Sequence, residues 1–207
     1  MSKAPPAAIT PLFITEIYRA DGLLDADALE DLDDTCRAIA DDDEAGQAWS
    51  QQKAYLGYTS YGSLTDLPDR APAFAALKSL LDKQVAAFVD KLGYELGGKK
   101  LKLDNMWINV LEHLGTHSGH IHPHSVLSGT IYIAVPDGAS ALRFEDPRLG
   151  LMMNAPARTS GRPEHQTFVS VAPAAGTVLI WESWLRHEVP INLSEDLRIS
   201  VSFNYGY

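Results

Sequence analysis

After Gly97-Gly98 the chain breaks into short β-like runs at 101–114, 126–136, 140–145, 166–172, 176–181, 187–192 and 197–205, punctuated by Gly, Pro and Asp. Such runs cannot bury a face alone, and their number and even spacing predict an all-β sandwich or barrel. Side chains alternate along a strand, so the first run places Leu101, Leu103, Asn105, Trp107, Asn109 and Leu111 on one face. The N-terminal part has a different texture. Ala26 to Ala45 carries Leu29, Leu32, Cys36, Ile39 and Ala40 at helical spacing, and Pro72 to Leu92 carries an apolar stripe that stops at Gly93. An edge strand is expected within Ile9–Ala20, around Pro11, and irregular structure or one short strand within Gln51–Leu67. Residues 1–7, rich in Ala and Pro, read as disordered. No linker-like sequence divides the halves, so the expectation is an α+β single domain, 1–207. Residues 1–98 give mainly helical support and residues 99–207 the β core.

Charge and cysteine content narrow the function. The 207-residue chain has a net charge of −10, which argues against nucleic-acid or anionic-membrane partners because both need a cationic surface. Much of the acid excess is local: Asp25 to Glu44 holds ten carboxylates against one Arg, a solvated helix face. The single cysteine, Cys36, excludes an internal disulfide and fits a reducing compartment. There is no apolar segment of signal-peptide or membrane-spanning length, and the expected location is cytoplasmic.

Five of the seven histidines, His113, His117, His120, His122 and His124, crowd into H-L-G-T-H-S-G-H-I-H-P-H. In a strand, residues i and i+2 share a face about 6.6 Å apart, so His120 and His122 can converge on one ion. His187, near a later strand, is the natural third ligand, and three such nitrogens leave other positions open for substrate and oxygen. His124 has the same parity, but Pro123 and the turn-like Ser125 leave its direction open. His113, His117 and His165, taken singly, read as hydrogen-bonded structural residues.

Eleven residues beyond His187 stand Arg198 and Ser200, on one face of a strand. A guanidinium fork with a hydroxyl suits bidentate grip of a carboxylate. The alternative is an Arg paired with Glu195 or Asp196. An Arg pointing into a barrel would need an anion, and a dicarboxylate would supply it.

These residues together resemble a known family. The chain carries Trp107-Ile108-Asn109, His120-Ile121-His122-Pro123, Leu127-Ser128-Gly129-Thr130-Ile131-Tyr132, Asp146-Pro147-Arg148, His187-Glu188-Val189 and Arg198-Ile199-Ser200-Val201-Ser202-Phe203-Asn204. That set, over residues 101–207, is similar to the Fe(II)- and 2-oxoglutarate-dependent oxygenases. The resemblance implies a double-stranded β-helix (jelly roll) with N-terminal helices packed on it and iron at its open end. It implies His120, His122 and His187 as metal ligands. Arg198, Ser200 and Tyr132 would receive the distal carboxylate of 2-oxoglutarate, with Asn109 and Trp107 near the pocket. It further implies oxidation of a second substrate, a small molecule or peptide that the sequence does not identify, and homodimers are common for such a barrel.

One departure from the family pattern stands out. Most of the superfamily has His-x-Asp or His-x-Glu where this chain has His120-Ile121-His122, so the site would carry one more positive charge and altered oxygen reactivity. Two other readings compete. A cupin-type dioxygenase or isomerase shares H-x-H and a late His, but expects a Glu soon after H-x-H, and none occurs before Glu145. A non-catalytic metal-binding jelly roll would more usually hold its ion with cysteines. Arg148, Arg158 and Arg162 in the segment 146–165 hint at an anionic substrate.

Overall fold

The computed structural model describes residues 10–148 and 161–207, with positions 150, 153 and 156. The disorder expected at residues 1–7, and Arg158, lie outside the described residues. Among the described residues, the α-helices that precede most of the strands are α1 (Ala26–Asp42), α2 (Glu44–Gln52) and α3 (Pro72–Leu92). Helix α1 starts where the Asp25 carboxylate accepts a hydrogen bond from the Ala28 N–H, and α3 ends at Gly93, whose φ of 67° is the left-handed conformation a helix stop needs. The helix expected over Ala26–Ala45 is α1, and α2 is a second helix that follows it directly. Asp43 ends α1, and its side chain accepts from the Gly46 N–H to cap α2, so the chain turns without losing helical hydrogen bonds.

Among the described residues there are ten strands, and all but one of those after Gly98 fall on the expected β-like runs. They are β1 (Tyr18–Ala20), β2 (Gly57–Thr59), β3 (Lys102–Leu111), β4 (His117–His120), β5 (Leu127–Ala134), β6 (Leu142–Glu145), β7 (Phe168–Val171), β8 (Val178–Glu182), β9 (His187–Val189) and β10 (Arg198–Gly206). The predicted edge strand within 9–20 is confined to β1, which pairs with β8. The strands form two antiparallel sheets, β1-β8-β5-β10-β3-β2 and β4-β9-β6-β7, which make a double-stranded β-helix carrying the helices on its larger sheet. The α+β jelly-roll expectation holds.

The large sheet has two unlike faces. Met106, Ile108, Val110, Ile131, Ile133, Ile199, Val201 and Phe203 form one buried core with Phe74, Leu77, Leu81, Val85 and Phe88 of α3. The other face looks into the barrel in three rows across β5, β10 and β3. Tyr132, Ser200 and Asn109 form one row, Thr130, Ser202 and Trp107 the next, and Ser128, Asn204 and Asn105 the third. Leu101 and Leu103 do not belong to this inner face as the alternation suggests. Asn204 opposes Asn105 while Tyr205 opposes Leu103, so Asp104 is an extra residue, and the bulge turns both leucines toward the helices.

Hydrogen bonds pin the inner rows. Asn109 accepts from the Thr59 hydroxyl at 3.0 Å and donates to Ser202 Oγ at 3.1 Å. Asn204 donates to Asn105 at 2.9 Å, and its carbonyl oxygen accepts from Ser128 Oγ, which also meets Ser183 Oγ at 2.7 Å. Buried polar groups are tolerable only when paired in this way.

Candidate active site

His120 and His187 face each other directly across β4 and β9, and His122 follows just beyond the end of β4. The ligating atoms of the three all lie within 4.8 Å of one another, the one such group among the described residues. His122 Nε2 and His187 Nε2 are 3.2 Å apart, near the roughly 3 Å expected of two imidazoles sharing an ion at about 2.1 Å. Strand parity applies to only one of the pair, since the strand ends at His120. His122 is off the strand, and its backbone N–H is held by the Ser183 carbonyl at 3.0 Å. His124 is exposed, has φ of 71°, and stays out of the group.

The tautomers are set by the backbone. His187 Nδ1–H donates to the Leu185 carbonyl at 2.8 Å and His120 Nδ1–H to that of Ser118 at 2.7 Å, which leaves both Nε2 lone pairs for a metal. Burial, with His120 nearby, pushes His122 down to about 4 and His187 to about 3, so both are neutral at pH 7. Trp107 stacks on His122 at 5.8 Å and Trp181 meets His187 edge-on at 4.6 Å, so aromatic rings wall the cluster.

Deeper in the barrel Arg198 is 2% exposed. Its Nε donates to the Ser140 carbonyl at 3.1 Å, one terminal nitrogen reaches Ser200 Oγ at 3.4 Å, and its guanidinium carbon lies 5.2 Å from the centre of the Tyr132 ring. None of the ion pairs among the described residues includes it; Glu195 instead approaches His113. Burial therefore disfavours its charge without a carboxylate to offset the cost. The Tyr132 hydroxyl and Ser140 Oγ are buried with no hydrogen-bond partner among the described residues, as is Trp181 Nε1. A buried cation with unsatisfied hydroxyls beside it is a donor set that could hold an anion.

Of the residues singled out from sequence, His120, His122 and His187 come together, and Tyr132, Ser200 and Asn109 lie on one row across the sheet, beside Arg198. Sequence reasoning missed Tyr55, Ser140 and Trp181, which sit in turn-rich or plainly apolar segments. It also set His117 aside as structural. His117 and His120 are three apart and should face opposite ways, but His117 opposes Val189 while His120 opposes His187. The bulge at Ser118-Gly119 turns both inward, and Ser-Gly inside a strand was the available signal. Of the arginines that hint at an anionic substrate, Arg148 pairs with Asp146 and Arg162 reaches His165, while Arg158 lies outside the described residues.

Comparison with known proteins agrees with this architecture. Residues 105–204 match the model of a family described as "Putative 2OG-Fe(II) oxygenase". A prolyl-4-hydroxylase from Pseudomonas putida superposes with a TM-score of 0.63 at 16% identity, covering 93% of this chain and 94% of that one. HygX from Streptomyces hygroscopicus, crystallised with nickel and 2-oxoglutarate, gives 0.60 at 15% identity over 93% and 82%. The non-heme alpha ketoglutarate dependent epimerase SnoN from nogalamycin biosynthesis gives 0.63 at 16% over 93% and 76%. A sequence comparison with curated proteins finds no match. No helix among the described residues is long and apolar enough to cross a membrane.

Proposed function

We propose that this chain, whose residues 105–204 carry the pattern of the Fe(II)/2-oxoglutarate oxygenases, is an oxygenase of that chemistry with a three-histidine metal site. One observation carries the reading: a histidine triad and a buried arginine with no ion pair among the described residues occupy the same barrel interior. His120, His122 and His187 would hold Fe(II). Arg198, Ser200 and Tyr132 would take the distal carboxylate of 2-oxoglutarate, and Asn109, in register with Ser200 on the facing strand, would line the same pocket. When bound, iron and 2-oxoglutarate supply oxygen activation coupled to loss of CO2, giving succinate and oxidation of a second substrate.

The chain's own share is ligation, orientation and dryness. The backbone carbonyls of Ser118 and Leu185 fix two imidazoles, so little reorganisation accompanies metal binding. Arg198 gains the anion it lacks, and the Tyr132 hydroxyl gains an acceptor, so co-substrate binding relieves two burial costs together. Trp107 and Trp181 keep water from the ligands. The second substrate belongs to the small molecules or peptides, in keeping with the net charge of −10. A cupin-type reaction would leave the buried Arg198 without a purpose.

The test is oxygen-dependent succinate release by the iron-loaded protein, with metal content measured alongside. His120→Ala, His122→Ala and His187→Ala are each expected to lose iron, and His124→Ala to keep it. Iron retained at wild-type level in His122→Ala refutes the ligand set.

A further inference from the structure

Tyr55 Oη lies 2.6 Å from His117 Nε2, and the two rings pack at 5.3 Å. This pair is neither at the metal nor in the helix-side core. Tyr55 packs on the apolar lining that includes Leu111, Tyr132, Leu142 and Trp181, the same interior that holds Arg198. His117 is turned into that interior by the bulge at Ser118-Gly119. It stands near enough to two charged or ligating groups, Arg198 and His120, for both to act on it, after burial, in holding it neutral down to about 3. Arg198 is likewise the charge that acts on Tyr55. The pair therefore shares the interior of both sites: His117 stands on the strand of His120, and Tyr55 packs on the cluster that contains Leu111, the residue opposite Arg198.

Proton accounting then fixes the donors. Burial pushes the Tyr55 hydroxyl up, so it stays protonated, and His117 Nε2 is its one hydrogen-bond partner among the described residues; only with Nε2 accepting does the buried phenolic proton find an acceptor. A neutral imidazole that accepts at Nε2 carries its hydrogen at Nδ1. His117 thus offers a neutral N–H donor in the interior where Arg198 lacks an anion.

We propose that His117, with its tautomer fixed by Tyr55, is a positioning residue for the co-substrate, donating Nδ1–H to a carboxylate oxygen of the dicarboxylate held by Arg198. The assignment rests on the proposed 2-oxoglutarate site and adds to it a residue pair from outside the recognisable motif set. Tyr55 acts through His117. A neutral donor is needed there, because a second cation beside Arg198 would cost more to bury than one carboxylate offsets.

The experiment measures anaerobic binding to the Fe(II)-loaded protein of 2-oxoglutarate and of pyruvate, a 2-oxo acid that lacks the distal carboxylate. His117→Ala is expected to weaken 2-oxoglutarate about tenfold, the scale of one hydrogen bond to a charged group, while leaving pyruvate unchanged. His117→Asn should recover most of the affinity, because the asparagine amide nitrogen can stand where Nδ1 stood, whereas His117→Leu should not. In the metal-free protein, ring 15N shifts should report His117 as the Nδ1–H tautomer, and Tyr55→Phe should mix the tautomers.

Equal weakening of both oxo acids would make His117 merely structural and overturn the proposal, as would an Nε2–H tautomer in the wild type. Unchanged 2-oxoglutarate binding in His117→Ala overturns this proposal alone. Failure of the wild-type, iron-loaded protein to bind 2-oxoglutarate overturns the oxygenase reading as well.

Discussion

Strand β10 shows two chemistries side by side. Ile199, Val201, Phe203 and Tyr205 point to the helices, and Arg198, Ser200, Ser202 and Asn204 point into the barrel; of these eight only Ser202 is not fully buried. The first set packs hydrocarbon on hydrocarbon, apart from the Tyr205 hydroxyl, which donates to Asp82 at 2.7 Å. The second set contains a guanidinium with no carboxylate and lies beside hydroxyls with no partner. Equal burial therefore has opposite meanings on the two faces. One face holds the fold together; the other carries the polar groups that the proposed ligand would satisfy.

Mutations should separate the faces, and the largest stability effect belongs on the helix side. Phe203→Ala is expected to lose about 3–5 kcal/mol in denaturant unfolding, since the ring is fully buried against Gly129 and Tyr205. A loss below about 1 kcal/mol would break the contrast.

Acid should act next, and on the inner side. The folded-state values of His117, His122 and His187 are depressed to about 3, 4 and 3 from an ordinary 6.5. Below pH 6.5 the unfolded chain binds protons that the folded one refuses, so stability falls as pH drops from 6.5 toward 4. The metal-free protein should take up close to three protons on unfolding at pH 5, readable from the slope of stability against pH. A flat profile would mean that these imidazoles are not held neutral by burial.

Arg198→Met should be far milder for the fold than Phe203→Ala. Removing an uncompensated buried charge leaves stability unchanged or raises it by about 1–2 kcal/mol, while 2-oxoglutarate binding is lost. A loss above about 2 kcal/mol would show that Arg198 is a structural residue already satisfied. Smallest of all, Tyr132→Phe should alter stability by no more than about 1 kcal/mol, since the Arg198 guanidinium beside its hydroxyl makes no well-formed hydrogen bond with it, yet weaken 2-oxoglutarate several-fold.

Legibility in the sequence followed the same division. The helix-side core was plain because period alone determines it: α3 begins and ends at Pro72 and Leu92, where the apolar stripe and Gly93 put it. The triad was legible from residue type and from the late His187. What alternation could not show were the bulges. One at Asp104 flips Leu101 and Leu103 outward, and one at Ser118-Gly119 turns His117 inward. A single inserted residue reverses every assignment beyond it. Tyr55 was invisible for a different reason. It lies 62 residues from His117 in a segment with no period, and only the closed barrel brings the two together.

The central claim is that one interior binds metal at the histidines and a dicarboxylate at Arg198. Anaerobic titration with Fe(II) and then 2-oxoglutarate, followed by absorbance, addresses it most directly. The account predicts a charge-transfer band that needs both additions in the wild type. It also predicts that the band is lost in Arg198→Ala although iron is still bound. An iron-loaded wild type that shows no response to 2-oxoglutarate, or an Arg198→Ala variant that responds with unchanged affinity, would contradict it.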